Sequence, residues 1–390
     1  MSKDKASREK LLALCYTKFG PYHVARLKAT TRIGQLLGIK VVGIEIASKQ
    51  NLYPWNTMGA DHGNLYTLFP GKTYEELSPI IKMIKMWRIL EQLNPQVLAV
   101  SGYKDGCDLI SLIWARWRKR ITVALMDSKS DDYPRRAIIE RIKRKIFTLF
   151  DAALVSGIQS KNYAELKGIP ADHIAMGSDV VDNVNFAAQA DWARDHATSL
   201  RRRYGLPDKY FLYVGRFDEK KNVSRLLQAY AQYVQALRGG RAWHLVLCGS
   251  GPLEDRLRRE ARELGLAQVI FAGFKQIDEL PLYYGLARCL ITPSSHSEQW
   301  GLVVNEAMAA GLPVLVSQAC GCAPDLVQEG LNGFTFNPYD TQELAQLMLK
   351  MSSGGMDLET MGEHSRRIIA EFSPETFAWN LLRLIEVQRK

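Results

Sequence analysis

Apolar residues in this chain fall in short runs, and each run is followed by a longer stretch with helical spacing. Residues 11–16 (LLALCY) read as a buried strand, 17–20 as a loop, 21–37 as a helix ended by Gly38, and 40–47 as a second strand. The rhythm continues with helices at 74–93, 107–118, 135–150 and 158–166, and strands at 96–103, 121–127 and 151–157. Residues 48–70 and 174–186 show no period and read as irregular; 187–209 is polar and helical, with a basic run at 201–203, and reads as a linker. The second half restarts the alternation. Strands are expected at 211–216, 244–251, 269–273, 289–295 and 313–317. Helices are expected at 223–237, 253–264, 278–286, 301–310, 323–329, 341–351, 356–369 and 374–388. This pattern predicts an α/β protein of two tandem doubly wound, Rossmann-like domains facing each other across a cleft. The domains are placed at 1–190 and 205–373, with 374–390 a terminal helix packing back on the N-terminal domain.

One stretch breaks the pattern. In 294–316 (SSHSEQWGLVVNEAMAAGLPVLV) the helix is apolar on every face, yet it contains Glu306, and Glu298 lies just before it. A buried carboxylate without a partner costs several kcal/mol, and the stretch contains no Lys or Arg. Either a distant cation pairs with Glu306 or a ligand rich in hydroxyl donors completes it. Two carboxylates flanking one helix start favour the ligand. The amides near Trp300, Gly301 and Leu302 would add a site for anions.

Composition adds one fact to this picture. With 47% hydrophobic and 24% charged residues the chain is of ordinary globular type, and no apolar run approaches the ~20 residues of a membrane span. The opening MSKDKASREK carries no apolar segment of a secretory signal. The six cysteines (Cys15, Cys107, Cys248, Cys289, Cys320, Cys322) lack zinc-ligand spacing and read as reduced thiols of a cytoplasmic protein. The net charge of +10, however, sits entirely in one half: residues 1–190 hold 28 Lys and Arg against 18 Asp and Glu, and 191–390 hold 23 against 23. The two halves should face different partners. The surplus concentrates in 114–120 (WARWRKR) and 135–147 (RRAIIERIKRKIF). In the latter, Ile138, Ile139, Ile142 and Ile146 form an apolar stripe among Arg141, Lys143, Arg144 and Lys145. Either this is a helix with a solvated basic face, or it docks on an anionic membrane surface as a peripheral inner-face protein would. Nucleic acid is not expected, because no recognition module accompanies the charge.

Candidate chemistry gathers at strand ends. VGRFDEKKN (214–222) puts Gly215 and Arg216 directly after a strand and Lys221 near the next helix. Two such cations suit a diphosphate, the guanidinium forking onto one phosphate and the ammonium acting as a point charge; for Lys220 a solvated turn is preferred. In CGSGP (248–252), Gly249 and Gly251 would let backbone amides approach a phosphate or ribose. AGF (272–274) would present its main chain and Phe274 to a flat ring such as a nucleobase. CGCAP (320–324) opens another helix, its thiols reading as packing groups. There is no GxGxxG and no metal-ligand cluster, so neither a dinucleotide cofactor nor a metal is expected.

In order and spacing, VGRF…KKN, LVLCGSGP, VIFAGF, ITPSSHSEQWGLVVNEAMAAGLPVL and CGCAPDLVQEGLNGF resemble the nucleotide-sugar-binding half of family-4 retaining glycosyltransferases with the GT-B fold. The likeness is strong over about 205–340. In the first half it rests on strand-helix order and on FDAALVSGIQSKNYAELKG. The resemblance implies that Arg216 and Lys221 hold the donor diphosphate and offset leaving-group charge, and that Glu306 accepts hydrogen bonds from the ribose. It implies that Glu298 contacts the donor sugar, that the amides around Trp300, Gly301 and Leu302 contact sugar and phosphate, and that Gly20 lies in the first-domain loop closing on the diphosphate. Three places depart from the family pattern: Gln299-Trp300 stands for Pro-Phe, Asp127-Ser128 for a strand end that often carries His, and Gly177-Ser178-Asp179 for Asn-Gly.

The expected function is metal-independent retaining transfer of a sugar from a UDP-, GDP- or ADP-sugar to a glycan or lipid-linked acceptor, as in polysaccharide biosynthesis. Attack would be front-face, with a diphosphate oxygen helping to deprotonate the acceptor. Asp127 would act as base or hold the sugar, or else serve as a helix cap or ion-pair partner. A nucleotide-sugar 2-epimerase of the same architecture and an inactive nucleotide-sugar-binding subunit are the alternatives.

Overall fold

The apolar runs become parallel strands because helices bury both of their faces. A computed structural model describes residues 10–51, 55, 63–103, 105–130, 137–296 and 298–388. The first sheet contains β1 (Lys10–Tyr16), β2 (Ile39–Lys49), β3 (Leu65–Thr73), β4 (Val97–Val100), β5 (Ile121–Met126), β6 (Ala152–Val155) and β7 (Ile174–Met176), in the order β3-β2-β1-β4-β5-β6-β7. The second contains β8 (Tyr210–Val214), β9 (His244–Cys248), β10 (Val269–Gly273), β11 (Cys289–Thr292), β12 (Val314–Ser317) and β13 (Gly333–Phe336), in the order β10-β9-β8-β11-β12-β13. All of these pairings are parallel. Strand order reverses between β1 and β4 and again between β8 and β11. Ligands of doubly wound sheets bind outside the carboxyl ends at such switch points.

Two sequence-irregular stretches contain strands. β3 and β7 are the outermost strands of the first sheet. Pro70 and Gly71 mask β3 in sequence, and an edge position tolerates them. β13, the other unforeseen strand, is a four-residue edge of the second sheet that opens on Gly333. The stretch 187–209 is two helices, Asn183–Asp195 and Ala197–Tyr204.

The chain divides into two units. The first takes in Met1–Ser128, Pro134–Val180 and Pro374–Lys390, and the second Lys129–Tyr133 and Val181–Ser373. Helix Asn183–Asp195 thus belongs to the second unit, where the Asn183 amide donates to the Ile369 and Phe372 carbonyls at 2.9 and 3.1 Å. Helix Pro374–Val387 completes the first unit. It packs beside helix Pro21–Leu36, with Arg26 over the Phe377 ring and Asn380 bonded to the Met176 carbonyl. Phe377, Ala378, Leu381 and Leu382 are buried there. At roughly 1.5–3 kcal/mol for each large apolar side chain, that helix is integral to its unit. Among the described residues no helix is long and apolar enough to cross a membrane.

Candidate functional site

The site forms at the second unit's switch point, where the loops after β8 and β11 are knitted together. Asn222 caps the turn after β8 in a left-handed conformation (φ 58°). Its side-chain amide donates to the carbonyls of Pro293 (3.0 Å) and Pro338 (2.8 Å). The Ser295 amide donates to the Lys220 carbonyl at 2.8 Å. These bonds fix the β8 turn against the β11 turn and bring together two groups far apart in sequence. Lys221 forms an ion pair with Glu298, and the Ser294 hydroxyl donates to the same carboxylate oxygen at 3.0 Å. Both side chains are largely buried. Burial alone would raise the Glu298 pKa, but the Lys221 ammonium, with help from Lys220 and Ser294, holds it below the ordinary carboxylate value. Glu298 is therefore an anion at neutral pH.

Arg216 stands at the end of β8 beside this pair. It is half-buried, and among the described residues its guanidinium has no hydrogen-bond or ion-pair partner. Its carbonyl accepts from the Tyr213 hydroxyl at 2.8 Å. An Arg fixed at a switch point with its fork unused is ready for an anion.

Helix Leu302–Ala309 follows Gly301, which adopts a left-handed conformation. From Val304 onward the helix is buried, while Leu302 and Val303 remain half-buried. The helix ends in a Schellman motif: Gly311 (φ 78°) donates to Met308 and Leu312 to Ala307. Glu306 is 1% exposed, and its Oε2 accepts from the buried Tyr284 hydroxyl at 2.6 Å. The core thus supplies a hydroxyl donor to this carboxylate. The Trp300 ring does not face outward. It is buried against Phe372, and its indole N–H donates to Asn305 Oδ1 at 2.9 Å. Of the Gln299-Trp300 departure, the Trp side chain is a packing element, and what it offers a ligand is main chain.

The turn 320–322 buttresses this loop. Gly321 donates to the Glu298 carbonyl and Cys322 to that of Trp300. Lys129, buried and part of the second unit, donates to the Ala319 carbonyl at 3.0 Å and so holds the turn. Burial pushes the Cys320 thiol up to about 12, with Glu298 adding to the effect, so it is an inert packing group.

The glycines of 248–252 have a reason inside the protein. A Cβ on Gly249 would lie 1.8 Å from the Gly215 carbonyl oxygen, and one on Gly251 would lie 2.6 Å from that of Phe217. Gly215 and Phe217 donate to the Cys248 and Ser250 carbonyls, and Gly249 to that of Gly273. These residues let three neighbouring loops close on each other, which accounts for them without a ligand. Phe274 follows β10 and is 37% exposed.

Gly20 and Asp127 belong to the first unit. Gly20 precedes helix Pro21–Leu36, its amide donating to His23 Nδ1 at 3.2 Å. A Cβ there would meet only that nitrogen, at an ordinary 3.7 Å, so local packing does not demand glycine. His23 stacks on Tyr16 at 4.1 Å, and burial, with the nearby Arg26 charge, lowers its pKa to about 3. Asp127 is half-buried, and its carbonyl accepts from Ser160.

Of the residues singled out in the sequence, Arg216, Lys221, Glu298 and Glu306 share one unit. Sequence reasoning did not pair Lys221 with Glu298, and it missed Tyr284, Ser294 and Lys129. Asn222, quoted only as part of a motif, was detectable from its left-handed propensity in KKN. Lys129 gave no signal, because its partner lies 190 residues away.

Residues 198–368 match the family described as glycosyl transferases group 1. The chain is 29% identical over 223 residues to a serotype-specific mannosyltransferase WbdA of Escherichia coli, covering 56% of this chain and 26% of that protein. It is 32% identical over 205 residues to a D-inositol 3-phosphate glycosyltransferase of Thermomonospora curvata, covering 50% and 46%. The chain therefore spans between a quarter and a half of the length of these curated relatives. Anabaena Alr3699/HepE, solved in complex with UDP and glucose, has the same two-domain fold, with TM-score 0.73 and 17% identity over 97% of this chain and 100% of that one.

Proposed function

We infer that the chain, whose residues 198–368 match the family described as glycosyl transferases group 1, is a retaining glycosyltransferase. It moves a sugar from a nucleotide-diphosphate sugar to a hydroxyl of a glycan or lipid-linked acceptor. The observation that carries this reading is the unpartnered Arg216 fork beside the Lys221–Glu298 pair at the β8/β11 switch point. A diphosphate placed there receives Arg216 on one phosphate and Lys221 on the other. As the bond between the anomeric carbon and the diphosphate breaks, negative charge builds on the leaving oxygen, and these fixed cations offset it without reorganisation. They take the part a divalent metal would play, so turnover is expected to persist in a chelator.

Glu298, kept anionic by Lys221 and oriented by Ser294, accepts hydrogen bonds from the donor sugar. Glu306, held by the Tyr284 hydroxyl, is assigned to the ribose. The acceptor hydroxyl attacks the face from which the diphosphate departs, and its proton passes to the departing diphosphate oxygen, so the chain need supply no base. A UDP-sugar is the first donor to test, because a structural neighbour was solved with UDP.

Replacing Arg216 by Ala tests the reading. Donor turnover should fall by about 10²–10³, the usual loss on removing one charge-stabilising donor. The thermal midpoint should stay in place, since the side chain has no partner to lose among the described residues. Near-normal turnover would refute the assignment.

A further inference from the structure

The first unit leaves a set of isoleucines in water. A helix joining parallel strands starts at the carboxyl edge of the sheet and runs back to the amino edge. The first turns of helices Pro79–Leu93 and Ala137–Phe147 therefore lie at the edge that carries the unit's ligand loops. Those turns expose Ile80, Ile81 and Ile84 (65, 53 and 46%) and Ile138, Ile139 and Ile142 (71, 43 and 55%). Both helices cover the same sheet face, since Met86, Leu90 and Phe147 share one core cluster with Val100, Ala124 and Val155. Of the apolar stripe of helix Ala137–Phe147, Ile146 packs against the core, while Ile138, Ile139 and Ile142 point away from it.

Within helix Ala137–Phe147 cations outnumber acids four to one. The helix carries Arg141, Lys143, Arg144 and Lys145. Its acid, Glu140, is bonded to Lys143 at 3.0 Å and ion-paired with Lys167, so it does not offset the other cations. Helix Pro79–Leu93 adds exposed Lys85 and Arg88, with Glu75 and Glu76 preceding it. The whole chain surplus of +10 lies in residues 1–190.

We propose that the exposed isoleucines and cations of these two helices dock the first unit on an anionic lipid bilayer, with the isoleucines in the interface and the cations among headgroup phosphates. An interfacial helix needs an apolar face accompanied by Lys and Arg, and this one exposes three isoleucines together with Arg141, Arg144 and Lys145. A second copy of the chain is a poorer occupant, because self-association through this face sets cations against cations. The inference goes beyond sugar transfer and is independent of it.

The test is sedimentation of the full chain with phosphatidylcholine vesicles, with and without one-third phosphatidylglycerol. Pelleting should require the anionic lipid and weaken with salt. Replacing Arg144 and Lys145 by Gln should lower the partition about fivefold for each cation removed. Replacing Ile138, Ile139 and Ile142 together by Ser should lower it at least tenfold, with thermal midpoint and donor hydrolysis unchanged, because these side chains are exposed and distant in sequence from the donor site. Three results would overturn the proposal: no pelleting with anionic vesicles, equal pelleting of the isoleucine variant, or a dimer in sedimentation velocity that the same isoleucine substitutions abolish. The last would assign the face to a second copy.

Discussion

Replacing Lys221 by Met removes the cation from a carboxylate that stays buried. Glu298 is 8% exposed, and its other polar partner at that oxygen is the Ser294 hydroxyl. Breaking a buried pair from one side costs about 3–5 kcal/mol; with both side chains slightly accessible and Ser294 retained, the lower end, ~3 kcal/mol, is expected at neutral pH. For a unit of this size that lowers the thermal midpoint by roughly 6–12 °C. The sign with pH follows from burial. In the native protein Glu298 sits below the ordinary carboxylate value, so its contribution is present above that value and is lost as pH falls through the native one. Without Lys221 burial dominates, the carboxyl is raised, and the penalty shrinks as acid protonates it. The assay is thermal unfolding from neutral to mildly acidic pH, run beside donor turnover. Adding Glu298→Gln to Lys221→Met removes the stranded charge and should restore most of the stability without restoring turnover. A single variant as stable as the parent would refute the burial argument, and a double variant with parental turnover would refute the placement of the chemistry.

Other outcomes follow from individual contacts. Glu306→Gln keeps an acceptor for the Tyr284 hydroxyl and should cost under about 1 kcal/mol while cutting turnover; Glu306→Ala strands that hydroxyl beside a cavity and should cost about 2–4 kcal/mol in chemical denaturation. Equal stability of the two would show that the Tyr284 bond carries no weight. Gly249→Ala forces a Cβ to within 1.8 Å of the Gly215 carbonyl and should cost about 3 kcal/mol or more, read as loss of the folded second unit. His23 takes up no proton in the folded state until about pH 3, whereas an unfolded histidine does so near 6.5. Stability should therefore decline below pH 6.5 by up to ~1.4 kcal/mol per pH unit from this group, and His23→Gln should flatten that slope in melts taken between neutral pH and pH 4.5.

Much of the architecture was legible because it rests on periodicity. Ten strands and the helices between them announce themselves as short apolar runs alternating with helical spacing, and that alternation dictates parallel, helix-covered sheets. The strands that escaped, β3, β7 and β13, are edge strands, where one neighbour suffices and where Pro, Gly and short length are tolerated. The residues proposed for the donor site stood out because polar groups lay where the pattern called for apolar ones: Glu306 in a fully apolar helix, and Arg216 at the tip of a strand. The glycines of 248–252 were legible but misleading, since a strand-to-helix glycine looks the same whether a phosphate or a neighbouring loop approaches it.

What the sequence determined by itself is local: element identity, fold class, and which side chains were chemically out of place. What only the tertiary structure decided is partnership. Nothing in sequence says that Lys221 meets Glu298, that Tyr284 holds Glu306, that Lys129 braces the turn at Ala319, that Trp300 turns inward, or that Ile138, Ile139 and Ile142 turn outward. Each depends on which strands become neighbours, and strand order is set by burial over the whole sheet rather than by any residue's own preference.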